Sequence, residues 1–474
     1  MRIAIIGAGL GGLECGFLLS KQGHEICVLE KNPQVGGCLQ TFRRRGQLFD
    51  TGVHYVGGLG EGEILHRLFE PFGLNRLPWQ PLDRTSFDEV IYKGKSFSFA
   101  NGYKEFAEKM TSYFPHQKEE IAQYAKLLQK SQEGLLGSFS QDAQGYSEPP
   151  ELLSRSAYQY LQTAFTDDKL RNVLSGTSLK MELRQQLPLY IFAQTNGTFI
   201  QSAWRLKGGG SQIAEVLAAG IRSHGGEVRT SSPASGFTVH EGRITGVTVS
   251  NGDVIPCDAV ISDIHPNLLM ALLPEGLVRR AYRTRICSLP NSAGTFTAHL
   301  LLKPGTVAYR NRNLFVHDRT DLWDDDGSCR SVGVHFAVPE EGGYARDIDL
   351  FTPMAWAEVA QWAQGRCGRR GDDYEAFKLR TAEKLIRLVE PYLPDLKGNI
   401  EEIYTSTPLT YRDYTGTHEG SAYGILKDCE HVMTTFLPPR TPVPNLFLTG
   451  QNVNFHGILG VTVTAMQVAG LFTK

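Results

Sequence analysis

Three side chains that can exchange protons stand close together in the glycine-rich stretch "FDTGVHYVGG". Asp50, His54 and Tyr55 fall within six positions of one another, and three glycines lie between and after them. A histidine titrates near neutral pH and a tyrosine is a weak acid, so either could give or take a proton. Glycines let a backbone approach a bound molecule closely. We therefore take His54 and Tyr55 as candidate catalytic residues, and we expect Asp50 to hold the loop through hydrogen bonds to backbone amides.

The chain opens with a pattern typical of nucleotide binding. "IAIIGAGLGG" predicts a buried strand that turns into a helix, and "HEICVLEK" predicts a second strand that ends in an acid. Gly7, Gly9 and Gly12 fit the spacing G-x-G-x-x-G, Gly11 adds a further glycine, and Glu30 ends the second strand. Such a turn brings the backbone and a helix N-terminus to a pyrophosphate, while the acid accepts hydrogen bonds from ribose hydroxyls. The pattern predicts a bound adenine dinucleotide without a 2′-phosphate.

Two further glycine-rich segments favour FAD over NAD. Lys31 leads into "NPQVGGCLQTF", and the terminal "LTGQNVNFHGILGVTVTAMQ" places Gly450 at a strand end and Gly457 and Gly460 before a helix. A ribityl chain and a three-ring flavin need backbone contacts beyond the first β-α-β unit, and helix amides can face an electron-rich flavin edge. Taken alone, the terminal segment could equally be an ordinary strand-loop-helix.

No second strand-GxGxxG-helix unit exists, so NAD(P)H, as an electron source, would have to enter the substrate cavity or use another carrier.

The order of these motifs resembles the FAD-dependent phytoene desaturase and carotenoid isomerase superfamily. More narrowly, "GGCLQTF", "FDTGVHYVGGLGEG", "TPLTYRDYTGTHEGSAYG" and "LFLTGQ" resemble its retinol saturase branch. The likeness spans nearly the whole chain and is loose over residues 80–200. Two departures bear on the site: Cys38 stands where many relatives have arginine, and Arg205 replaces an aromatic residue, which puts substrate preference in doubt.

The resemblance implies a set of cofactor contacts. FAD would contact Gly7, Gly9, Gly11, Gly12, Glu30, Lys31, Gly37, Cys38, Thr41, Gly52, Val53, His54, Ala234, Gly450, Gln451, Gly460, Val461 and Thr462. Ala234 would meet the adenine through its backbone, Gly450 and Gln451 the ribityl and phosphate region, and the last three the flavin ring. The loop from Asp50 to Gly58 would run beneath the isoalloxazine. His54 and Tyr55 would then line the substrate cavity, and the alternative is that His54 merely packs on the flavin.

Three separated pieces of sequence predict one nucleotide-binding domain. Residues 1–79, 201–265 and 441–474 would form this domain, and the insertions 80–200 and 266–440 would form a substrate domain. The fold class predicted is α/β: a Rossmann-type FAD-binding domain with an inserted α+β substrate domain and a helical cap. The cap is placed at Lys104 to Leu136, where apolar residues recur at helical spacing and are expected to pack in a core. Those residues are Phe106, Met110, Tyr113, Ile121, Tyr124 and Leu128.

Composition narrows the class of protein. The 474 residues carry a net charge of −2, which excludes electrostatic capture of nucleic acid by the whole molecule. The eight cysteines include no C-x-x-C pair, so we predict no metal site and a reducing, cytoplasmic location. A strand at residue 2 leaves no room for a signal peptide.

The segment Asn267 to Arg285 could contact a membrane surface; the alternative is a core-facing segment followed by a solvated basic one.

The leading hypothesis is an FAD-dependent oxidoreductase that acts on carbon–carbon double bonds of an apolar polyene or isoprenoid. One alternative is a carotenoid cis–trans isomerase that uses reduced FAD, and another is a non-catalytic flavoprotein that binds isoprenoids. An amine oxidase fits less well, because the cap and the "DTGVHYVG" loop resemble the polyene branch. The substrate, the direction of the reaction, the electron partner and the oligomeric state are left open by the sequence.

Overall fold

The computed structural model describes residues 1–137, 150–324 and 330–472. Its strands, numbered in chain order, are β1 (Arg2–Ile6), β2 (Glu25–Leu29), β3 (Thr41–Arg44), β4 (Gln47–Asp50), β5 (Val56–Gly57), β6 (Trp79–Pro81), β7 (Asp88–Tyr92), β8 (Lys95–Phe99), β9 (Ala203–Leu206), β10 (Glu227–Arg229), β11 (Ala234–His240), β12 (Arg243–Val249), β13 (Val254–Pro256), β14 (Ala259–Ser262), β15 (Gly294–Leu302), β16 (Asn313–His317), β17 (Ser331–Phe336), β18 (Asp347–Met354), β19 (Ile400–Ser406) and β20 (Leu446–Leu448). Its α-helices are α1 (Leu10–Lys21), α2 (Ile64–Phe69), α3 (Tyr103–Tyr113), α4 (Lys118–Gly137), α5 (Pro150–Leu153), α6 (Ala157–Ala164), α7 (Asp168–Ser175), α8 (Leu189–Gln201), α9 (Ser211–Ser223), α10 (Pro266–Leu272), α11 (Arg280–Cys287), α12 (Asp372–Val389), α13 (Pro408–Thr415), α14 (Val432–Thr435) and α15 (Gly457–Gly470).

A five-stranded parallel sheet, in the order β10-β2-β1-β14-β20, gathers strands from the start, the middle and the end of the chain. Strands β1, β14 and β20 are apolar and almost wholly buried, as parallel strands covered on both faces must be. Helix α1 connects β1 to β2 and packs against α9 and α15. The Rossmann-type α/β fold predicted from the sequence is confirmed. The division into domains at residues 79, 200, 265 and 440 stays a prediction.

A seven-stranded mixed sheet, in the order β19-β15-β18-β17-β16-β7-β8, forms the second layer. Its neighbours pair antiparallel except β7 and β16, which are parallel. One face carries alternate apolar residues such as Phe296, Leu314 and Leu350, which join a buried cluster with Leu385 of α12. Because side chains alternate along a strand, the intervening residues point to the opposite face. That opposite face carries polar residues and borders the cavity described below.

The inserted helices α3 to α8 lie between β8 and β9. The segment predicted as one cap helix is two helices, because Pro115 cannot continue the helical hydrogen bonding of α3 and a short turn of 3₁₀ helix follows. The apolar residues at helical spacing are buried as predicted, except Tyr113, which is half-buried. Helix α4 packs against both α3 and α8. Since α8 also borders the cavity, the cap helices pack against an element that forms part of the cavity wall.

The segment that could contact a membrane forms α10 and α11. Leu269, Met270 and Val278 are buried in the core, whereas Leu268 is partly exposed. The arginines of α11 include Arg283, whose guanidinium donates to the Leu273 carbonyl at 3.0 Å. In the three ranges that the structure covers, none of the helices has both the length and the apolar character needed to cross a bilayer. Peripheral membrane contact stays a prediction.

Candidate active site

A cavity of about 570 Å³ lies between the carboxyl ends of the parallel strands and the polar face of the mixed sheet. Open α/β sheets bind their ligands at this edge, and the volume is that of a small-molecule or cofactor site. Most of the residues predicted as cofactor contacts line it: Gly7, Gly9, Gly11, Glu30, Lys31, Gly37, Cys38, Gly52, Val53, His54, Ala234, Gly450, Gln451 and Val461. Tyr55, a catalytic candidate, lines it as well. The structure therefore brings together residues from both ends and the middle of the chain.

Four predicted contacts, Gly12, Thr41, Gly460 and Thr462, lie outside the cavity wall. A Cβ on Gly12 would overlap the Gly7 carbonyl, and a Cβ on Gly460 would overlap the Phe455 carbonyl. Thr41 Oγ1 donates to a serine hydroxyl at the start of α9 at 3.2 Å. Thr462 Oγ1 donates to a buried Glu14 carboxyl oxygen at 2.7 Å. These residues support the elements that form the wall, and direct contact with a cofactor stays a prediction for them.

The glycine turn after β1 is built around carboxyl groups. Glu30 accepts hydrogen bonds from the backbone amides of Ala8 and Asn32, both at 2.9 Å. It therefore fixes the turn, and the same side chain lines the cavity where a ribose would lie. Gly7 has a φ of +98°, a conformation that side-chain-bearing residues rarely adopt, so the turn itself requires glycine.

Asp263, which follows β14, lies inside this glycine cluster and was not singled out in the sequence. A Cβ on Gly9 or Gly11 would come within 2.5 and 2.7 Å of its carboxyl oxygens, and one on Gly450 would overlap them. Burial raises the pKa of Asp263 to about 7, although the amides of Gly9 and Gly12 donate to it and oppose the shift. The signal in the sequence was an acid that ends a buried strand, "AVISD". A neutral Asp263 fits beside an anionic pyrophosphate, and an ionised one would repel it.

The loop that carries His54 and Tyr55 is fixed at both ends. Asp50 Oδ1 accepts from the Gly210 amide at 2.7 Å, just before α9, as predicted for a residue that holds the loop. At the other end, β5 pairs with β9, and a Cβ on Gly57 would come within 2.5 Å of the α8 backbone. Burial raises the pKa of Asp50 to about 7. The loop therefore has one defined path along the cavity wall.

A row of buried polar side chains crosses the mixed sheet on the cavity side. The register pairs Asn313 with Asp88, and Asp349 with both His335 and His299. Asn313 joins the two halves, because its Nδ2 donates to Asp88 Oδ1 at 2.7 Å and its Oδ1 lies 2.7 Å from His335 Nδ1. His299 Nδ1 lies 2.7 Å from Asp349 Oδ1. Buried polar groups persist where they are hydrogen-bonded. Asp88, Asn313 and His335 form one hydrogen-bonded set, and His299 and Asp349 form a second set beside it.

Arg205 lies behind this row rather than in the cavity wall. Its side chain is 2% exposed and donates to Asn313 Oδ1 at 2.6 Å, to the Arg312 carbonyl at 3.0 Å and to the Tyr309 hydroxyl at 3.1 Å. Burial lowers the pKa of Arg205, but a guanidinium stays charged in proteins. The residue thus links β9 to the mixed sheet, and its effect on substrate preference stays a prediction.

His54 rests on the centre of the polar row. Its ring stacks on that of His335 with centroids 4.3 Å apart, and its Nδ1 lies 3.4 Å from Asp349 Oδ2. Burial lowers the pKa of His54 although Asp349 opposes the shift, and burial holds the pKa of His335 well below its usual range. Both imidazoles are therefore neutral at physiological pH, and each has a side on the cavity.

Tyr55 makes contact with a different end of the row. Its hydroxyl donates to Asp88 Oδ2 at 2.8 Å and accepts from Lys180 Nζ at 2.9 Å. Lys180 Nζ also lies 3.3 Å from Asp88 Oδ2, and both Tyr55 and Lys180 line the cavity. Burial raises the pKa of Tyr55 well above its usual value and lowers the pKa of Lys180, against the attraction of Asp88. Nothing in the spacing of "GTSLKMELR" marked Lys180 in the sequence.

Residues 10–471 match the family described as flavin containing amine oxidoreductase. The chain belongs to that family. Its members are flavin oxidoreductases by description, so the predictions of an FAD-dependent oxidoreductase and of a flavin cofactor are confirmed. The glycine turn and the cavity at the carboxyl edge of the sheet are the features of this chain that suit such a cofactor. NAD(P)H as the electron donor stays a prediction.

Several curated relatives of this flavin oxidoreductase span nearly the whole chain. It is 27% identical to all-trans-retinol 13,14-reductase of Rattus norvegicus, with 99% of this chain and 85% of that protein covered. It is 25% identical to 4,4'-diapophytoene desaturase (4,4'-diapolycopene-forming) of Methylomonas sp, with 90% and 85% covered. It is 24% identical to phytoene desaturase (lycopene-forming) of Pseudescherichia vulneris, with 100% and 99% covered. The resemblance to the phytoene desaturase and retinol saturase superfamily is confirmed.

Solved structures of similar fold cover the chain completely or nearly so. An oxidoreductase from Methanosarcina mazei superposes with a TM-score of 0.67 at 17% identity, covering 99% of this chain and 100% of that one. Wild-type putrescine oxidase bound to putrescine superposes with a TM-score of 0.64 at 15% identity, covering 99% and 98%. At this level of identity the likeness supports the fold alone.

Proposed function

We propose that this flavin oxidoreductase transfers hydrogen to or from a carbon–carbon double bond of an apolar polyene or isoprenoid. The observation that carries the proposal is that one cavity is lined both by the predicted FAD contacts and by apolar side chains beyond them. Relatives named as retinol reductase and as carotenoid desaturases favour a substrate of this kind.

The cofactor would lie along the carboxyl edge of the parallel sheet. Backbone amides at the start of α1 would face the pyrophosphate, and Glu30 would accept from the ribose. Gly450, with Gln451, would hold the ribityl region. The flavin ring would lie between the loop that carries His54 and the N-terminal turn of α15. A side chain at Gly9, Gly11 or Gly450 would collide with the Asp263 carboxyl, so this part of the proposed cofactor site requires glycine at the three positions.

The apolar part of the cavity supports a hydrocarbon substrate. Leu65 of α2, Phe199 of α8 and Leu459 of α15 line it together with Leu179 and Phe455. Such a lining excludes water and binds a polyene by burial of apolar surface, worth about 25 cal/mol per Å². An apolar lining favours a polyene over a protonated amine, because burial of an unpaired charge is costly.

The chemistry of the flavin is the exchange of a hydride with one alkene carbon. The protein's own residues hold the polyene against the ring, keep water out and handle the proton at the neighbouring carbon. His54, Tyr55, Lys180 and His335 are titratable groups named above that border the cavity.

Product mass tests this proposal. The FAD-loaded protein is incubated without oxygen with all-trans-retinol, phytoene or lycopene, in its oxidised form and after reduction with dithionite or NADPH. A gain of two hydrogens indicates reduction and a loss indicates desaturation, and either supports the proposal. A product of unchanged mass and altered double-bond geometry would identify a cis–trans isomerase. Polyenes that bind and remain unchanged would identify a non-catalytic isoprenoid-binding flavoprotein.

A further inference from the structure

Lys180 joins the two elements assigned to the flavin ring. Its carbonyl accepts from His456 Nε2 at 2.9 Å, and His456 is the residue immediately before α15. Its ammonium donates to the Tyr55 hydroxyl on the facing loop. The Lys180 side chain is 12% exposed, and Lys180, Tyr55 and His456 all border the cavity. Lys180 is therefore held in place from both sides of the proposed ring position.

The Lys180 ammonium has two hydrogen-bond partners and lies at the cavity wall. An ammonium has three N–H donors and no acceptor. Two of them face Tyr55 Oη at 2.9 Å and Asp88 Oδ2 at 3.3 Å. Nζ also lies 4.1 Å from the ring centroid of Phe199, which is part of the cavity wall. The ammonium therefore lies beside a part of the cavity wall that a bound polyene would contact.

We propose that Lys180 is the catalytic acid and base that exchanges a proton with the alkene carbon next to the one that exchanges hydride. The inference rests on the proposed function. Tyr55 and Asp88 are positioning residues: the phenol and the carboxylate fix the ammonium, and the carboxylate balances its charge.

The step balances in both directions. In reduction, the π bond breaks, one carbon gains a hydride with two electrons from reduced FAD, and its neighbour gains a proton from Lys180 Nζ. Lys180 is left as a neutral amine and regains a proton from solvent. In desaturation, C–H bonds on two neighbouring carbons break and a π bond forms between them. The neutral amine of Lys180 takes one hydrogen as a proton and later releases it to solvent, while oxidised FAD accepts the other hydrogen as a hydride.

Electrostatics support Lys180 over the two residues named from the sequence. Burial lowers the pKa of Lys180, which makes the ammonium a stronger acid, whereas burial and Asp88 raise the pKa of Tyr55 and make the phenol a weaker one. His54 is neutral and its Nδ1 faces Asp349. The charged and titratable groups near Lys180 include Asp88 of β7 and Tyr55 of the loop, which contact its ammonium, and His335 of β17. His456, before α15, contacts its carbonyl.

The test compares the variants K180M, K180R and K169M in a single turnover with a polyene that the parent converts. We expect K180M to lose about 10²- to 10⁴-fold in rate, because that is the usual contribution of a positioned acid or base. K180R keeps the charge but is too weak an acid, so it should also be slow. Lys169 is a fair control, since its ammonium also lies over a phenylalanine ring, 4.9 Å from the centroid of Phe97, outside the cavity. K169M should react like the parent.

Two readouts do not depend on turnover. FAD content and the urea midpoint of unfolding show whether K180M folds and binds the cofactor. If K180M alone does not fold, the double variant K180M/D88N replaces it, because it removes both buried charges. The pH dependence of Lys180 acetylation, followed by mass spectrometry in FAD-loaded protein, should show a titration below that of Lys169 that moves lower still in D88N.

The outcomes separate the two claims. A parent that converts a polyene while K180M converts it at a similar rate overturns the role of Lys180 and leaves the proposed function intact. A Lys180 that titrates no lower than Lys169 also overturns it. A parent that converts no polyene overturns the proposed function, and the role of Lys180 is overturned with it.

Discussion

The imidazole rings of His54 and His335 stack with centroids 4.3 Å apart and planes 6° from parallel. His54 belongs to the N-terminal loop and His335 to the mixed sheet, so the stack fastens the loop to the second layer. Phe351 packs against both rings, 4.9 Å from that of His335 and 5.6 Å from that of His54. Stacked aromatic pairs contribute about 0.5–1.5 kcal/mol beyond burial. The contact gives His54 a structural role in fastening the loop, and its packing on the flavin stays a prediction.

The polar row should depend on Asn313. Replacing it with leucine leaves Asp88 Oδ1 and His335 Nδ1 without their observed partners, which should lower the free energy of unfolding by about 1–3 kcal/mol. Urea unfolding of the FAD-loaded protein measures this. The control is Asn399→Leu, because Asn399 is half-buried and donates to a local carbonyl at 2.7 Å. Equal losses in the two variants would contradict a special role for the row.

Gly450 should be required for cofactor loading. It has a φ of +85°, and a Cβ there would overlap the Asp263 carboxyl. Gly23 is a matched control, with a φ of +84° and nothing within 4 Å of an added Cβ. Both alanine variants should lose about 1–2 kcal/mol to backbone strain, but only Gly450→Ala should lose FAD as well. The ratio of FAD to protein after purification checks this, and normal loading of Gly450→Ala would contradict it.

FAD affinity should weaken as pH rises through about 7, where Asp263 ionises beside the proposed pyrophosphate position. The loss should reach about tenfold, which corresponds to a change of one unit in pKa on binding. Quenching of flavin fluorescence by the apoprotein across this pH range gives the dissociation constant. In Asp263→Asn the dependence should flatten. An unchanged slope in that variant would assign the effect to another group.

The stability of the apoprotein should also fall with rising pH. Burial raises the pKa of Asp50 to about 7 in the folded state, from 3.8 for a solvated aspartate. The folded state therefore holds a proton that the unfolded state has released, and stability present below pH 3.8 is lost as pH rises through about 7. The slope contributed by one such group is about 1.4 kcal/mol per pH unit. Urea unfolding should show a shallower decline for Asp50→Asn, and an identical decline would contradict this account.

The nucleotide-binding half of the site could be predicted because its signals are local. The strand, the glycines around Gly9 and the acid Glu30 follow one another within thirty residues, so spacing alone places them together. The same holds for the loop of Asp50 and for the terminal strand and helix.

The substrate half could not be predicted because its residues meet through sheet register. Asp88 and Asn313 are the first residues of β7 and β16, and His335 lies within β17, so no local motif in the sequence links the three. Only the parallel pairing of β7 with β16, and the antiparallel pairing of β16 with β17, brings them into one row. Lys180 reaches that row from the helical insertion, where the sequence offers no periodicity to mark it.

The most direct test is a stopped-flow experiment without oxygen, in which reduced enzyme is mixed with a polyene at a series of concentrations and the flavin absorbance and product mass are followed together. The proposed function predicts that the flavin reoxidises at a rate that depends on polyene concentration, with one polyene gaining two hydrogens for each flavin. If desaturation is the natural direction, oxidised enzyme should instead be reduced as the polyene loses two hydrogens. A flavin that keeps its redox state with every polyene, in both forms of the enzyme, would contradict the account.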